Sequence, residues 1–398
     1  MSIAQSEAAD ARKLPIINVS GLHGDAIDRR TVARELRLAC TNTGFFYITE
    51  HGVPTAQIDR VFQQSRAFFA LPMEEKLALS MTQSACRHGY EPLKAQTLEA
   101  GAPPDLKEGF LAGEDLAGDH PAVRNDPANI GPNQWPPHLP EFKDAMISYI
   151  REMKGLTKTL MHGLALSLDL EETYFDDFCR DPILTLRLLH YPPQPPNPVP
   201  NEKGCGAHTD WGGITVLLQD SAGGLQVQHA DGSWISAPPI TGTFVVNIGD
   251  LFARWTNNLY RSTVHRVINK SGRDRYSVPC FLDGRSDHLV SCISTGAGEK
   301  RLFPDTTVRG HLEEIVRRTY AAASKAIEAE VCAAVVPIWL GRLAQSCDDD
   351  YWAPGSLFPE LVTALGLAKP RNGSIRIALT SSGSRTDFRE TNKDAPRQ

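Results

Sequence analysis

The chain has 398 residues, of which 41% are hydrophobic and 22% charged, and it carries 41 basic against 47 acidic side chains. This length allows one or more domains with a sizeable core, while a formal net charge of −6 gives no electrostatic footprint for nucleic acid. Eight cysteines without a Cys-x-x-Cys pair indicate neither a zinc knuckle nor a disulfide framework, and no apolar run is long enough to span a bilayer. We therefore expect a cytoplasmic protein, a monomer or weak homodimer, with a small-molecule substrate and no nucleic-acid or membrane partner.

The N-terminal part alternates short predicted strands with helices. Residues 14–19 and 45–48 are apolar and β-branched or aromatic, which favours strands. Residues 31–43 place apolar side chains at helical spacing, and a second such run begins at Pro54 and ends before Pro72. We expect the apolar faces of both helices to belong to the core.

The next part contains a long irregular stretch followed by a long helix. Residues 84–140 are rich in glycine, proline and aspartate, and only residues 108–111 have strand character. Long irregular segments often cover or line functional sites. Residues 139–168 then repeat apolar side chains at every third or fourth position, which predicts a long helix that packs on the outside of a sheet.

Short predicted strands dominate the region that follows. They cover residues 183–190, 214–218, 225–228, 234–235 and 243–248, separated by glycine turns and by a proline-rich loop at 192–200. This pattern is typical of a jelly roll. No Gly-x-Gly-x-x-Gly sequence follows a strand, so a nicotinamide-binding fold has no support. The expected fold is mainly β with flanking helices, with a double-stranded β-helix core and a helical N-terminal region.

A possible metal site begins at His208 and Asp210. On a strand these two side chains would project to the same face and could reach one point. A lone His-x-Asp is often only a hydrogen-bonded surface pair, but His265 follows in another stretch of strand character. Two histidines and one carboxylate form the facial triad of non-haem iron oxygenases, which leaves three adjacent coordination positions open.

An arginine and a serine follow the second histidine at a fixed interval. Arg275 and Ser277 are two residues apart and begin ten residues after His265. The planar fork of an arginine suits a carboxylate, and a serine hydroxyl can add a hydrogen bond. Together they are candidates to bind the far acid group of a keto acid.

The order of these motifs carries a resemblance to one enzyme family. The chain resembles the isopenicillin N synthase-like branch of the 2-oxoglutarate and iron(II)-dependent oxygenases over most of its length. Besides the triad and the Arg-x-Ser pair, the similar stretches are residues 14–19, 43–48, 51–54, 89–90, 133–136, 188–195, 223–227 and 247–250.

The resemblance implies a cofactor set and a role for each site residue. His208, Asp210 and His265 would hold Fe(II), and 2-oxoglutarate and dioxygen would take the open positions, with ascorbate as a candidate reductant. Arg275, Ser277 and Tyr191 would contact the distal carboxylate of 2-oxoglutarate. The implied reaction hydroxylates or desaturates a small metabolite, such as one of secondary metabolism, and releases succinate and carbon dioxide. Many plant members have asparagine where this chain has Leu189, so an amide contact at that position is in doubt.

The same resemblance divides the chain into four parts. Residues 1–13 form a polar leader, residues 14–175 an N-terminal dioxygenase region with the long packing helix, and residues 176–320 the jelly-roll core. Residues 321–398 match nothing in the family pattern, and the polar composition of the last part predicts disorder.

Three alternative functions remain open from the sequence. The first is an iron oxidase of the same fold that does not use 2-oxoglutarate, of the isopenicillin N synthase or aminocyclopropane carboxylate oxidase type. The second is a catalytically silent ligand-binding relative, against which the intact triad argues. The third is a zinc hydrolase, because three protein ligands and a water also suit zinc.

Overall fold

The computed structural model describes residues 13–293 and 300–317. The predicted leader, apart from Lys13, and the predicted extension at residues 321–398 lie outside the described residues. Within the described part no helix is both long enough and apolar enough to cross a membrane.

The described residues form fourteen strands. Their bounds are β1 Ile16–Asn18, β2 Phe45–Thr49, β3 Gly89–Glu91, β4 Glu108–Ala112, β5 Ile183–Tyr191, β6 Cys205–His208, β7 Ile214–Gln219, β8 Leu225–Gln228, β9 Trp234–Ser236, β10 Phe244–Ile248, β11 His265–Val267, β12 Arg275–Gly284, β13 Leu289–Val290 and β14 Thr306–Thr307. An eight-stranded sheet has the order β1-β2-β10-β7-β12-β5-β4-β3, and a four-stranded sheet has the order β6-β11-β8-β9. Strands β13 and β14 pair by themselves.

Six named helices flank the large sheet. Their bounds are α1 Ala26–Asn42, α2 Thr55–Phe69, α3 Met73–Leu77, α4 Pro121–Asn125, α5 Pro140–Ser167 and α6 Asp250–Trp255. Single 3₁₀ turns cover Ser20–His23 and Met81–Gln83, and a further helical stretch covers residues 308–317. The long helix α5 buries Met146 and Met153 completely, as its apolar periodicity predicts.

Two apolar layers follow from the alternation of side chains along the strands. One face of the large sheet packs against the helices through residues such as Phe46, Val216 and Leu282. The opposite face, which includes Tyr47 and Tyr191, meets the small sheet. The space between the two sheets is therefore the interior of the jelly roll, and side chains that project into it line any site there.

The predicted elements and the observed ones differ mainly at their ends. Helix α1 begins before the predicted start because the Asp25 carboxylate accepts hydrogen bonds from the backbone N–H groups of Ile27 and Asp28, which caps the helix. Gly44 separates α1 from β2 with a φ of +67°, and a Cβ there would collide with the Arg261 carbonyl oxygen.

The region predicted to be irregular contains short elements as well. Strand β3 and helix α4 were not predicted, because segments of three and five residues are too short to show a period. Strand β3 pairs with β4 at the edge of the large sheet. Conversely, the stretch of strand character that contains His265, residues 260–267, forms a strand over His265–Val267 and not over its first five residues.

Candidate active site

Three ligand-bearing side chains converge beside the small sheet. His208 ends β6, and His265, the first residue of β11, lies directly opposite it in the antiparallel register. The Oδ1 atom of Asp210 lies 3.7 Å from Nε2 of each histidine. Potential ligand atoms of the three residues all lie within 4.8 Å of one another. The structure thus brings together the three residues that the sequence indicated, in an arrangement that can hold one metal ion.

Asp210 reaches this point from a turn, and the prediction that it shares a strand with His208 is wrong. Strand β6 ends at His208, and Asp210 lies between β6 and β7. The start of α6 holds the turn, because the Asp250 N–H donates to the Asp210 carbonyl at 2.8 Å. The Asp250 carboxylate also accepts from the Thr209 hydroxyl at 3.0 Å. The sequence Gly249-Asp250 is typical of a turn, but Asp250 begins a helix and fixes the position of Asp210.

Backbone carbonyls orient both imidazoles. The Nδ1 atom of His208 lies 2.7 Å from the Gly206 carbonyl oxygen, and Nδ1 of His265 lies 3.2 Å from that of Thr263. Because a carbonyl only accepts, each Nδ1 carries the proton and each Nε2 presents its lone pair to the shared point. Burial lowers the pKa of both histidines. Both rings are therefore neutral near pH 7, which is the form that binds a metal.

The two oxygens of the Asp210 carboxylate have different partners. Oδ2 accepts hydrogen bonds from the Thr215 hydroxyl at 2.6 Å and from the Asn247 amide at 2.7 Å. Burial raises the pKa of Asp210, but the hydrogen bonds from Thr215 and Asn247 favour the anion, and the pKa is lowered overall. The side chain is thus anionic, with Oδ1 directed to the histidines.

The sequence contained signals for both donors to Asp210. Thr215 is a polar residue inside the apolar run of β7, and a buried hydroxyl needs a partner. Asn247 lies in the stretch 247–250, which was noted for its family resemblance only. Their common partner could not be inferred, because it depends on the pairing of β7 with β10, in which Asn247 lies opposite Thr215.

Arg275 is completely buried at the start of β12. Its Nε donates to the Gly223 carbonyl at 2.6 Å, and its Nη1 donates to the Ser277 hydroxyl at 3.0 Å. Its Nη2 is buried and finds no hydrogen-bond partner among the described residues. An unpaired buried donor on a charged group is costly, and a carboxylate ligand would satisfy it. This pocket therefore fits the distal acid group of 2-oxoglutarate.

Tyr191 lies beside this guanidinium. In the pairing of β5 with β12 it is opposite Arg275, and the Arg275 Cζ atom lies 4.6 Å from the centre of its ring. Burial raises the pKa of the Tyr191 hydroxyl, so the group keeps its proton and can donate. Leu189 is buried opposite Ser277. It offers no amide, so the asparagine contact of the plant pattern is missing here.

From its position on the strand predicted at residues 183–190, Arg187 could bind an acidic substrate or form a salt bridge with a carboxylate at the edge of the core. Its guanidinium forms an ion pair with Glu91 and donates to the Gln96 side-chain oxygen at 3.1 Å. The alternative interpretation, a salt bridge with a carboxylate at the edge of the core, is the one observed.

Two other histidines are engaged in ordinary polar contacts. His190 lies 2.7 Å from a Glu108 oxygen through Nδ1 and 2.9 Å from an Asp274 oxygen through Nε2. His229 pairs with Asp231 at 3.1 Å. From the sequence alone we expect both to be ordinary exposed or hydrogen-bonded imidazoles, and the structure shows these hydrogen bonds.

Two carboxylates from the irregular region bind the edge of β6, and sequence reasoning did not predict them. Asp105 accepts from the Gly206 N–H at 2.8 Å, and Glu99 accepts from the Ala207 N–H at 2.8 Å. Lys107 forms a buried ion pair with Asp105. The segment before β4 therefore satisfies backbone donors next to His208, as was expected in general terms for a long loop near a site.

Comparison with known proteins decides the family. Residues 14–138 match the model for the non-haem dioxygenase in morphine synthesis N-terminal region, and residues 182–284 match the 2OG-Fe(II) oxygenase superfamily. The 2-oxoglutarate-Fe(II) type oxidoreductase hxnY of Emericella nidulans is 42% identical over 317 residues, which cover 78% of this chain and 91% of that protein. The chain belongs to the 2OG-Fe(II) oxygenase superfamily.

Other relatives and solved structures agree with the assignment of this chain to the oxygenase superfamily. The 2-oxoglutarate-dependent dioxygenase citB of Monascus ruber is 40% identical over 322 residues, or 77% of this chain and 95% of that protein. The crystal structure of a full-length Neurospora crassa protein in complex with alpha-KG has a TM-score of 0.68 and 32% identity, and the match covers 77% of this chain and 96% of that one. The predicted fold class is confirmed, and so are Fe(II) and 2-oxoglutarate as the cofactor and cosubstrate of an enzyme that oxygenates small molecules.

Proposed function

We propose that His208, Asp210 and His265 hold the iron of this oxygenase, and that Arg275, Ser277 and Tyr191 bind the distal carboxylate of 2-oxoglutarate. The observation that carries the metal assignment is the equal distance of 3.7 Å from Asp210 Oδ1 to both Nε2 atoms. The other polar atoms of all three side chains are occupied by hydrogen bonds. Only the three inward-facing atoms are left for a metal.

The bound groups supply the oxidative chemistry, in which 2-oxoglutarate loses carbon dioxide and becomes succinate while a substrate C–H bond is oxidised. The protein contributes placement. The neutral imidazoles and the anionic Asp210 occupy one face of the metal position, so the opposite face stays open to ligands. Arg275 compensates the charge of the distal carboxylate in a space from which water is largely excluded, and Tyr191 and Ser277 fix its orientation. Hydroxylation is the proposed outcome.

The substrates named for relatives of this oxygenase are chemically diverse. Relatives carry names as different as homoarginine-6-hydroxylase in Glycine max and clavatol oxidase in Penicillium crustosum. We further propose that the protein is a monomer or weak homodimer in the cytoplasm. We also propose that it has no nucleic-acid partner, because a net charge of −6 gives no electrostatic footprint for nucleic acid. The division at residues 14–175 and 176–320 also remains a proposal; the two family matches at 14–138 and 182–284 fall inside its parts.

Substitution of the triad tests the metal assignment. We expect His208→Ala, Asp210→Ala and His265→Ala each to lose stoichiometric Fe(II) binding under anaerobic conditions and to abolish succinate release from 2-oxoglutarate. Circular dichroism should stay unchanged, because each change leaves the strand pairing intact. His229→Ala is the matched control, since the His229 side chain pairs with exposed Asp231 and lies outside the triad. Full iron binding and turnover in any triad variant would refute the assignment, and preferential retention of zinc with hydrolytic activity would favour the zinc enzyme.

A further inference from the structure

Asp283 presents a carboxylate to the interior of the jelly roll near the metal position. Along β12, Val278, Cys280 and Leu282 face the helix-side core. Alternation therefore places Asp283 on the opposite face, which Arg275 also occupies. At this end of the strand the Leu282 carbonyl accepts from the Gly213 N–H at 2.9 Å, so Asp283 lies against the turn that carries Asp210.

The contact with this turn is close. A Cβ atom on Gly212 would overlap the Asp283 Oδ1 atom, so only glycine leaves room for the carboxylate at this position. Asp283 also interacts electrostatically with Asp210. It therefore lies on the metal side of the site, although it contributes nothing to the group of three ligand atoms.

No group in the described chain compensates the charge of Asp283. Neither a hydrogen bond nor an ion pair reaches its carboxylate from residues 13–293 or 300–317. Asp283 is partly buried, so a ligand can reach the carboxylate, and a cationic group from outside the chain would give it the partner that the chain does not supply.

The cosubstrate is not that partner. Arg275 and Asp283 are eight residues apart on one strand, or roughly 26 Å at about 3.3 Å per residue, and 2-oxoglutarate is a five-carbon diacid anchored at Arg275. Charge leads to the same conclusion. Fe(II) and Arg275 together balance Asp210 and both carboxylates of 2-oxoglutarate, so Asp283 remains the uncompensated anion of the loaded site.

We propose that Asp283 is a specificity-determining residue that binds a cationic nitrogen of the substrate, such as an ammonium or guanidinium group. This proposal rests on the proposed function, because it places the substrate beside the metal position opposite the Arg275 pocket. A cationic nitrogen supplies both the N–H donors and the charge that the carboxylate lacks. The partly buried Phe281 and Thr185, which are paired between β12 and β5, are next to Asp283 on the same face and would form an adjoining wall.

A matched pair of small probes tests this proposal without knowledge of the substrate. Methylguanidinium and methylurea have nearly the same shape and differ in charge. We expect the Fe(II)- and 2-oxoglutarate-loaded wild type, titrated anaerobically in a calorimeter, to bind methylguanidinium at least about tenfold more tightly than methylurea, as a charge-assisted contact requires. Asp283→Asn should lose this preference. Asp287→Asn is the control, because Asp287 is exposed and already paired with Arg285 at 3.0 Å.

Each outcome decides the proposal. If the wild type shows no preference for methylguanidinium, or if the preference survives in Asp283→Asn, Asp283 does not bind a cation. Asp283→Ser, which removes the carboxylate without adding bulk, replaces Asp283→Asn if that variant does not fold. Release of carbon dioxide from 2-oxoglutarate is measured on the same wild-type preparation. A lack of release with the preference intact would count against the proposed function alone, and the reverse would count against the role of Asp283 alone.

Discussion

The two oxygens of Asp210 decide how this side chain can bind a metal. Thr215 and Asn247 occupy Oδ2 with hydrogen bonds of 2.6 and 2.7 Å, and Oδ1 faces the two imidazoles. A carboxylate held in this way favours coordination through one oxygen, which preserves open positions for the cosubstrate and dioxygen. Thr215 and Asn247 are therefore positioning residues.

Removal of one donor should weaken the metal site without unfolding the protein. Thr215→Val keeps the side-chain shape but leaves Oδ2 with one hydrogen bond, so we expect the dissociation constant for Fe(II) to rise about 10- to 100-fold. An anaerobic iron titration measures this. Thr157→Val is the matched control, because the Thr157 hydroxyl is equally buried but donates to the Met153 carbonyl inside α5. An unchanged iron affinity in Thr215→Val would show that the hydrogen bond has no role in metal binding.

At the scale of elements, a polar network ties helix α3 to strands β3, β4 and β5. The Glu108 carboxylate receives hydrogen bonds from Lys76 at 2.8 Å, Tyr90 at 2.6 Å and His190 at 2.7 Å. Burial raises the pKa of Glu108, but these contacts outweigh it and lower the pKa to about 2. Burial lowers the pKa of His190, whereas Glu108 and Asp274 raise it to above its usual value overall.

The network should make the stability of the protein fall both at low pH and at high pH. The contribution of Glu108 is present above its unfolded pKa of about 4.3 and is lost as the pH falls toward about 2. The contribution of His190 is present below about pH 6.5 and is lost as the pH rises through its raised folded pKa. Chemical denaturation at several pH values should show that Glu108→Gln lowers the free energy of unfolding by on the order of 3 kcal/mol at pH 6, with a smaller loss near pH 3. Glu74→Gln, at an exposed position of α3, is the control. An equal loss for Glu108→Gln at both pH values would contradict this account of the network.

At the scale of the whole molecule, the sequence was most informative where a short spacing coincided with a chemical type. His208, Asp210, His265, Arg275 and Ser277 could be selected because ligands and anchors recur at fixed intervals around strands. The bounds of α5 and β5 followed from strong apolar periodicity.

Contacts between distant segments could not be predicted from the sequence in the same way. The partners of Asp210 depend on strand register, and the capping of β6 by Glu99 and Asp105 depends on the path of an irregular loop. In the sequence, nothing distinguishes Asp283 from other aspartates near strand ends. Its neighbours in the structure are what single it out. Sequence patterns reveal which residues can perform the chemistry, and the tertiary structure reveals which groups orient them or lack a partner.

The central claim is that β6, β11 and β12 bring the metal triad and the Arg275 pocket together in one 2-oxoglutarate site. The most direct measurement is the release of labelled carbon dioxide from 2-oxoglutarate by the iron-loaded protein in the absence of substrate. We expect slow release by the wild type, and in Arg275→Gln a KM for 2-oxoglutarate raised roughly 10- to 150-fold with iron binding intact, because the charge and the fork of donors are lost. Arg273→Gln, an exposed arginine bonded to Ser221, should keep the wild-type KM. No release by the wild type under any condition, or an unchanged KM in Arg275→Gln, would contradict the assignment of this pocket.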